Sequence, residues 1–198
     1  PPWSCDAPDA RAMDRRVRLL IMAGVVLAAA AWAGGVGGGA LAPAPGSTAA
    51  PPGAAQAAVV VHVIDGDTVR VAVTGGQRGA LPAGEHRVRL LGVDAPEVAR
   101  DGRAGECGGA ESTAFLRSLL ASGTRVWLRA DREDRDRYGR PLRYLWTDED
   151  RFVNRTVVAA GHGRALRVEP NDRHWERLRG DEAHARARGA GLWGRCRR

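Results

Sequence analysis

The sequence predicts an α+β domain built on a small closed β-sheet, preceded by a segment of different composition. Three observations carry that expectation. Short β-branched runs recur from Val59 onward, turn signals separate them, and helical patterns are interspersed only among the later strands. At 198 residues with 44% hydrophobic residues, the chain has material for one ordinary domain and its core plus a tail.

The first run, VVVHVIDGDTVRVAV over residues 59–73, alternates, and GGQRG from Gly75 supplies a turn, together a hairpin signal. EHRVRLLGVDAPE resumes a strand through Val93 and breaks at Pro96, while GTRVWLRA and RPLRYLWTD supply two more short strands. Strands at this spacing predict a five-stranded barrel. Helices are predicted over residues 111–121, with Ala114, Phe115, Leu119 and Leu120 on one side, and over 152–160 after the turn at TDED. A third spans residues 172–188, where the apolar stripe is thin and rests on Trp175, Leu178 and Ala185. No internal repeat is present.

Residues 1–58 read differently from residues 59–198. From Met13, MDRRVR is a positively charged n-region, Leu19 opens an apolar run, and Ala31-Trp32-Ala33 suits cleavage, the layout of a secretory signal. Read through its glycines to Ala42, the same run is long enough for an uncleaved membrane anchor. Either way the remainder is expected to be exported, secreted or held outside the cytoplasm by the anchor. Residues 43–58, rich in Ala, Pro and Gly, read as a flexible spacer. Cys107 and Cys196 are the two thiols of the folded part, and export makes a disulfide between them the expected pairing. In the chain-entropy account such a long loop contributes roughly 4–5 kcal/mol.

Thirty basic residues against 23 acidic ones give a formal net charge of +7, which points to a polyanion, either nucleic acid or an anionic membrane surface. All the basic side chains are arginine, a bias that composition alone also produces. The five histidines lack metal-ligand spacing and are read as ordinary core or surface residues. Trp127, Trp146, Trp175 and Trp193 are expected to fill gaps between barrel and helices, and Asn154 to cap a helix or hold a buried hydrogen bond.

The acids are more informative. VIDGDTVRV places Asp65 and Asp67 inside a strand-like run, where burying a carboxylate costs several kcal/mol unless a partner compensates it. Asp-Gly is also a common turn pair, but the alternation continues through Val71, so Asp67 is expected on the strand and not at its tip. Asp94 ends the apolar strand of LLGVDAPEV, and Glu97 follows Pro96. Oxygen ligands without His or Cys nearby suit a hard cation, Ca²⁺ or Mg²⁺. Arg89 shares a strand with Asp94, and Arg140 closes DRDRYGR. Arginines in this setting are either a solvated face or forks that hold a phosphate beside the cation.

Taken in order, VIDGDTVRV, RVRLLGVDAPE, AESTAFLRSLL, DRYGRPLRYLW, FVNRTVVAAGHGRA and the closing GLW resemble the staphylococcal nuclease (thermonuclease) family, over roughly Val59 to Trp193. The resemblance implies an OB-type barrel of five strands with three α-helices and a Ca²⁺-dependent phosphodiesterase site acting on DNA and RNA. It implies low sequence specificity and 3′-phosphate products, in a protein for which a monomer suffices. By the same resemblance Asp67 and Asp94 would ligate Ca²⁺ with the Ala95 carbonyl, where the family often has threonine. Glu97 would orient or deprotonate the attacking water, and Arg89 and Arg140 would bind the scissile phosphate. Tyr138 matches a family tyrosine near the phosphate. Asp136 and Asp65 are expected to shape the site, Asp65 as a turn residue more than as a ligand. The chain departs from the family at RALRVEPND, where Leu166, Arg167 and Val168 replace a tyrosine pair, so Arg167 is expected to contact phosphate or stack on a base. The alternative reading is a noncatalytic OB-fold module that binds nucleic acid, which the retained acids argue against.

Overall fold

Alternating burial along the early strands sets the architecture. In the computed structural model, which describes residues 55–75, 80–100 and 102–196, β1 (Gln56–Val63) pairs antiparallel with β2 (Thr68–Val73), Val59 facing Ala72 and Val63 facing Val69. The Cα partners slip between Val60 and His62, a bulge that bends β1. β2 continues antiparallel into β3 (Gly84–Leu90), with Val69 opposite Val88. β5 (Arg125–Arg129) and β6 (Leu142–Thr147) pair antiparallel. Two joins close the sheet: β6 runs parallel to β3, and β5 pairs antiparallel with β1, giving a closed barrel in the order β1-β2-β3-β6-β5.

The predicted fold class is therefore the observed one, an α+β domain on a five-stranded barrel with three longer helices. These are α1 (Gly109–Leu119), α2 (Val153–Ala159) and α3 (Trp175–Ala187). A short α4 (Leu192–Arg195) and a two-stranded sheet of β4 (Val93–Asp94) and β7 (Arg164–Ala165) complete it. The barrel residues Val60, Val69, Val71, Val88, Leu90, Val126, Leu128 and Leu145 share one core cluster with Leu116 of α1, Val157 of α2 and Leu178 of α3. The thin stripe of α3 thus reduces to Leu178 and Ala185, with Trp175 only half-buried. β6 is buried on both faces: Leu145 points into this core, while Leu142, Tyr144 and Trp146 form a second cluster with Leu91, Trp127 and Phe152.

Three expectations are corrected. Gln56, assigned to the spacer, begins β1, because its side-chain amide donates to the Leu81 carbonyl at 2.8 Å and accepts from the Leu81 N–H at 2.9 Å. The run 59–73 is two strands, and Asp65-Gly66-Asp67 is the turn between them, so Asp67 stands at the tip it was expected to avoid. Ile64 N–H and Asp65 N–H both donate to the Thr68 carbonyl, at 2.9 and 3.3 Å, which folds the chain back there. The helix bounds also draw in by one to three residues at most ends.

Asn154 makes the buried bonds: its amide oxygen accepts from Leu145 N–H at 2.9 Å and its amide nitrogen donates to the Leu91 carbonyl at 2.8 Å. Cys107 and Cys196 form a disulfide across 89 residues, packed with Leu192 and Trp193. The signal or anchor, most of the spacer and the turn at 76–79 lie outside the described residues.

Candidate active site

The turn that reverses β1 into β2 also concentrates acid. Asp67 is only 7% exposed. Its Oδ2 accepts from Ala95 N–H at 2.9 Å and faces Arg89 Nη2 at 3.1 Å, and its Oδ1 accepts from Thr68 Oγ1 at 3.0 Å. Asp65 stands behind it, accepting Asp67 N–H at 3.3 Å. Burial pushes the Asp67 carboxyl up to about 6; Arg89 pulls it down, Asp65 pushes it further up, and the Ala95 amide and Thr68 hydroxyl oppose both. Gly66 makes the turn's position possible. A Cβ there would come 2.6 Å from the Ala95 Cβ and 2.9 Å from the Ser112 Cβ, so only glycine lets two carboxylates sit against the 94–97 segment and α1.

That segment carries the other acids. Asp94, on β4, is partly exposed and held opposite Arg164, whose Nη2 lies 3.6 Å from Asp94 Oδ2. Ala95 is buried and Glu97 is exposed. Asp94 is therefore placed from two directions: the Asp67 carboxylate accepts from the N–H of the next residue, Ala95, and β4 pairs with β7.

Arg89 joins this acidic turn to a basic cavity. Its register on β3 places it opposite Thr68 and beside Leu142 of β6. Nη1 donates to the carbonyls of Leu90 at 3.0 Å and Val93 at 2.6 Å, while Nη2 faces Asp67. The same side chain lines a cavity of about 450 Å³ together with Asp136, Tyr138 and Arg140, over a floor that includes Leu90, Leu91, Leu142, Leu166 and Val168. Arg140 is oriented by Asp136, whose Oδ2 accepts from Arg140 Nε at 2.6 Å and whose Oδ1 accepts from Arg140 N–H and Tyr138 N–H, both at 2.9 Å. Burial raises the Asp136 carboxyl, but the Arg140 amide, guanidinium and charge with the Tyr138 amide outweigh it and hold it below its ordinary value. Tyr138 stands at the mouth, 66% exposed, with Arg137 and Arg140 over its ring at 4.8 and 5.4 Å.

This site sits on a recognisable scaffold. A family model for staphylococcal nuclease homologues matches residues 87–195. The chain is 31% identical over 138 residues to a thermonuclease of Staphylococcus hyicus, covering 70% of this chain and 76% of that relative. It is 31% identical over 140 residues to a thermonuclease of Staphylococcus intermedius, covering 71% and 77%. A third relative, endonuclease YncB of Bacillus subtilis strain 168, is 32% identical over 132 residues, 66% of this chain and 58% of its own length. The chain belongs to the staphylococcal nuclease family. The family-model match begins at Arg87, so the Asp65–Asp67 turn stands on its geometry.

The oxygen donors gathered here are of the kind a hard divalent cation takes. The candidate ligands are all oxygen, from the carboxylates of Asp67 and Asp94 and the carbonyl of Ala95, brought to adjacent backbone by the Asp67–Ala95 bond. A divalent cation would also offset the burial of Asp67 and its repulsion from Asp65, the two causes that raise it. Among the described residues no three His, Cys, Asp or Glu side chains cluster to hold an ion alone, so water or substrate oxygens would complete the coordination.

The structure gathers Asp67, Ala95, Arg89, Arg140 and Tyr138 through shared contacts, and adjoins Asp94 and Glu97 to them along the chain. It does not bring Arg167 to the cavity: its guanidinium turns to Glu169 at 2.7 Å and Asp172 at 3.7 Å, leaving Leu166 and Val168 as the wall. Three contributors carry no sequence signal that separates them from ordinary loop residues. Glu106 accepts from Glu97 N–H at 3.1 Å, Arg100 reaches the acidic turn, and Thr68 steadies Asp67.

Proposed function

We propose that this chain is an exported, calcium-dependent endonuclease that hydrolyses phosphodiester bonds in DNA and RNA with low sequence specificity, leaving 3′-phosphate ends. The observation that supports this most is the double engagement of Arg89, which pairs with the buried carboxylate of Asp67 and lines the cavity that holds Arg140. A phosphate seated there would meet the guanidinium groups of both Arg89 and Arg140, with the acidic turn joined to the site through Arg89. Such a site suits charge that grows on phosphoryl oxygens during displacement.

Asp67, Asp94 and the Ala95 carbonyl would hold calcium, which supplies Lewis-acid stabilisation of the phosphoryl oxygens and helps orient the attacking water. Glu97, exposed and one proline past Ala95, would accept the proton of that water as its oxygen bonds to phosphorus. The bond to the 5′ oxygen breaks, the leaving oxygen takes a proton from solvent, and the phosphate stays on the 3′ side. Arg89 and Arg140 act as clamps and not acids, because a guanidinium keeps its proton at any working pH. Asp136 orients Arg140. Tyr138 and the aliphatic wall at Leu166 and Val168 would receive the adjoining nucleotide without selecting its base strongly. Export accords with the n-region and apolar run from Met13 and with the Cys107–Cys196 disulfide.

The test incubates the full chain with plasmid and single-stranded DNA and with RNA, in calcium, magnesium or chelator, beside Glu97→Gln. Calcium-dependent cleavage lost in the variant supports the reading. Tight binding without cleavage overturns it in favour of a noncatalytic module.

A further inference from the structure

Glu97 is exposed, and among the described residues no side chain bonds to its carboxylate, so its place is set by its backbone. That backbone opens a loop whose root is well fastened. Glu97 N–H donates to Glu106 Oε2 at 3.1 Å, Glu106 N–H returns to the Glu97 carbonyl at 2.9 Å, Gly109 packs directly against that carbonyl, and Cys107 is tied to Cys196. Among the described residues, the far side of the loop is fastened to the turn by one of them. Arg100 Nη2 donates to the Ile64 carbonyl at 2.9 Å and to Asp65 Oδ2 at 3.2 Å, across to the turn that carries Asp67. Asp65 is buried, and its other oxygen accepts Asp67 N–H at 3.3 Å. Arg100 is itself steadied by paired backbone bonds with Arg103, at 3.2 and 2.8 Å. One guanidinium thus connects the loop of Glu97 to the backbone of Asp67 through Asp65.

We propose that Arg100 is a positioning residue: by bridging the Glu97 loop to the Asp65–Asp67 turn, it holds the water-activating carboxylate in register with the cation-holding one. The inference rests on the roles proposed above for Glu97 and Asp67. The Arg100 guanidinium bonds to Ile64 and Asp65, neither of them assigned above to phosphate or cation, so its loss should slow turnover and leave substrate affinity nearly alone; small misplacements of reacting groups cost rate steeply.

The experiment compares the full chain with Arg100→Gln, Arg100→Lys, Asp65→Asn, Arg103→Gln and the double change Arg100→Gln with Asp65→Asn. Arg103→Gln removes the same charge from the same exposed loop without breaking the bridge. Cleavage kinetics on DNA are read at saturating calcium, and amide hydrogen exchange at Glu97, Glu106 and Asp67 is read without calcium. Arg100→Gln is expected to lower kcat about tenfold with KM within about twofold, and to speed exchange at those amides. Arg103→Gln should do neither, Arg100→Lys should recover part of the rate, and the double change should fall no further than its more damaging single change. If Arg100→Gln and Arg103→Gln behave alike, or if KM alone rises, Arg100 is a phosphate contact or a bystander and the inference fails. An unmutated chain that leaves DNA intact defeats the nuclease reading itself, a different result from an active chain indifferent to Arg100.

Discussion

Replacing Arg89 with lysine separates a guanidinium clamp from a plain positive charge. Arg89 is only 14% exposed, and its Nη1 donates to two carbonyls, Leu90 and Val93, while Nη2 faces Asp67. Among the described residues none of these contacts uses its Nε–H or a second Nη2–H, which would leave both for the phosphate of the proposed site. A lysine ammonium keeps the charge but cannot reach both carbonyls, the carboxylate and a phosphate at once. Losing two carbonyl bonds at about 1 kcal/mol each lowers stability by about 2 kcal/mol, or roughly 6–10 °C in Tm for a domain of this size. The larger effect falls on the reaction, because removing one preorganised donor from a developing oxyanion costs roughly 10²–10³ in kcat. Thermal melting and initial rates on DNA at saturating calcium read the two effects separately. A variant that melts lower yet cleaves at the unmutated rate would refute the assignment of Arg89 to the phosphate, and one that loses only KM would reduce it to a binding contact.

Calcium at about 100 times its dissociation constant should stabilise the chain by about 2.7 kcal/mol, raising Tm, and Asp67→Asn should erase that shift; calorimetric melts with calcium and with chelator decide it. Replacing Cys107 and Cys196 together by serine frees a loop of 89 residues, worth about 4.5 kcal/mol in the chain-entropy account, so Tm should fall by more than 10 °C, and a fall of only a degree or two would contradict it. Acid should weaken the fold through two histidines. Burial, then Arg195, lowers His162, and burial, then Arg177, Arg173 and Arg129, lowers His174, each below its ordinary value of 6.5. The unfolded chain therefore takes up protons first, and their contribution, complete above 6.5, is lost as pH falls through that value toward the folded ones. Asp67, held up at about 6, works in the opposite sense as it takes up its proton, so the histidine contribution is read by difference: from pH 7 to pH 5 the unmutated chain should lose Tm relative to His174→Phe.

The barrel was legible because its signal is local: period-two burial in Val69, Val71 and Val88 is written in neighbouring residues. β4 was expected as the end of a single strand shared by Arg89 and Asp94, but the chain turns at Leu91-Gly92 and separates it from β3; β7 was not expected, since two residues carry no periodicity and the β4–β7 pairing is a product of the tertiary fold. The misplacement of Asp67 has a specific cause. Val63, Val69 and Val71 are all buried, so alternation runs through the turn in sequence although the chain reverses there. The decisive observation is the close packing of Gly66 on Ala95 and Ser112, which only a folded chain shows. Arg89 and Arg140 were identifiable by motif, but Arg87, two residues from Arg89 and of the same type, is exposed, and composition does not tell them apart. Arg167 shows the reverse: a suitable side chain at a suitable position is turned away by Glu169, an acid two residues on. Arg100 and Glu106 act through backbone partners, Ile64 and Glu97, and such partners leave no trace in residue type.

The account turns on whether one phosphate meets both guanidinium groups beside the acidic turn. A crystal structure of the full chain with calcium and a short oligonucleotide carrying an uncleavable linkage measures this directly. The account predicts a single phosphate within hydrogen-bond reach of Arg89 and Arg140, with the ion on Asp67 and Asp94. An oligonucleotide bound elsewhere on the basic surface, with that cavity empty of phosphate, would contradict it.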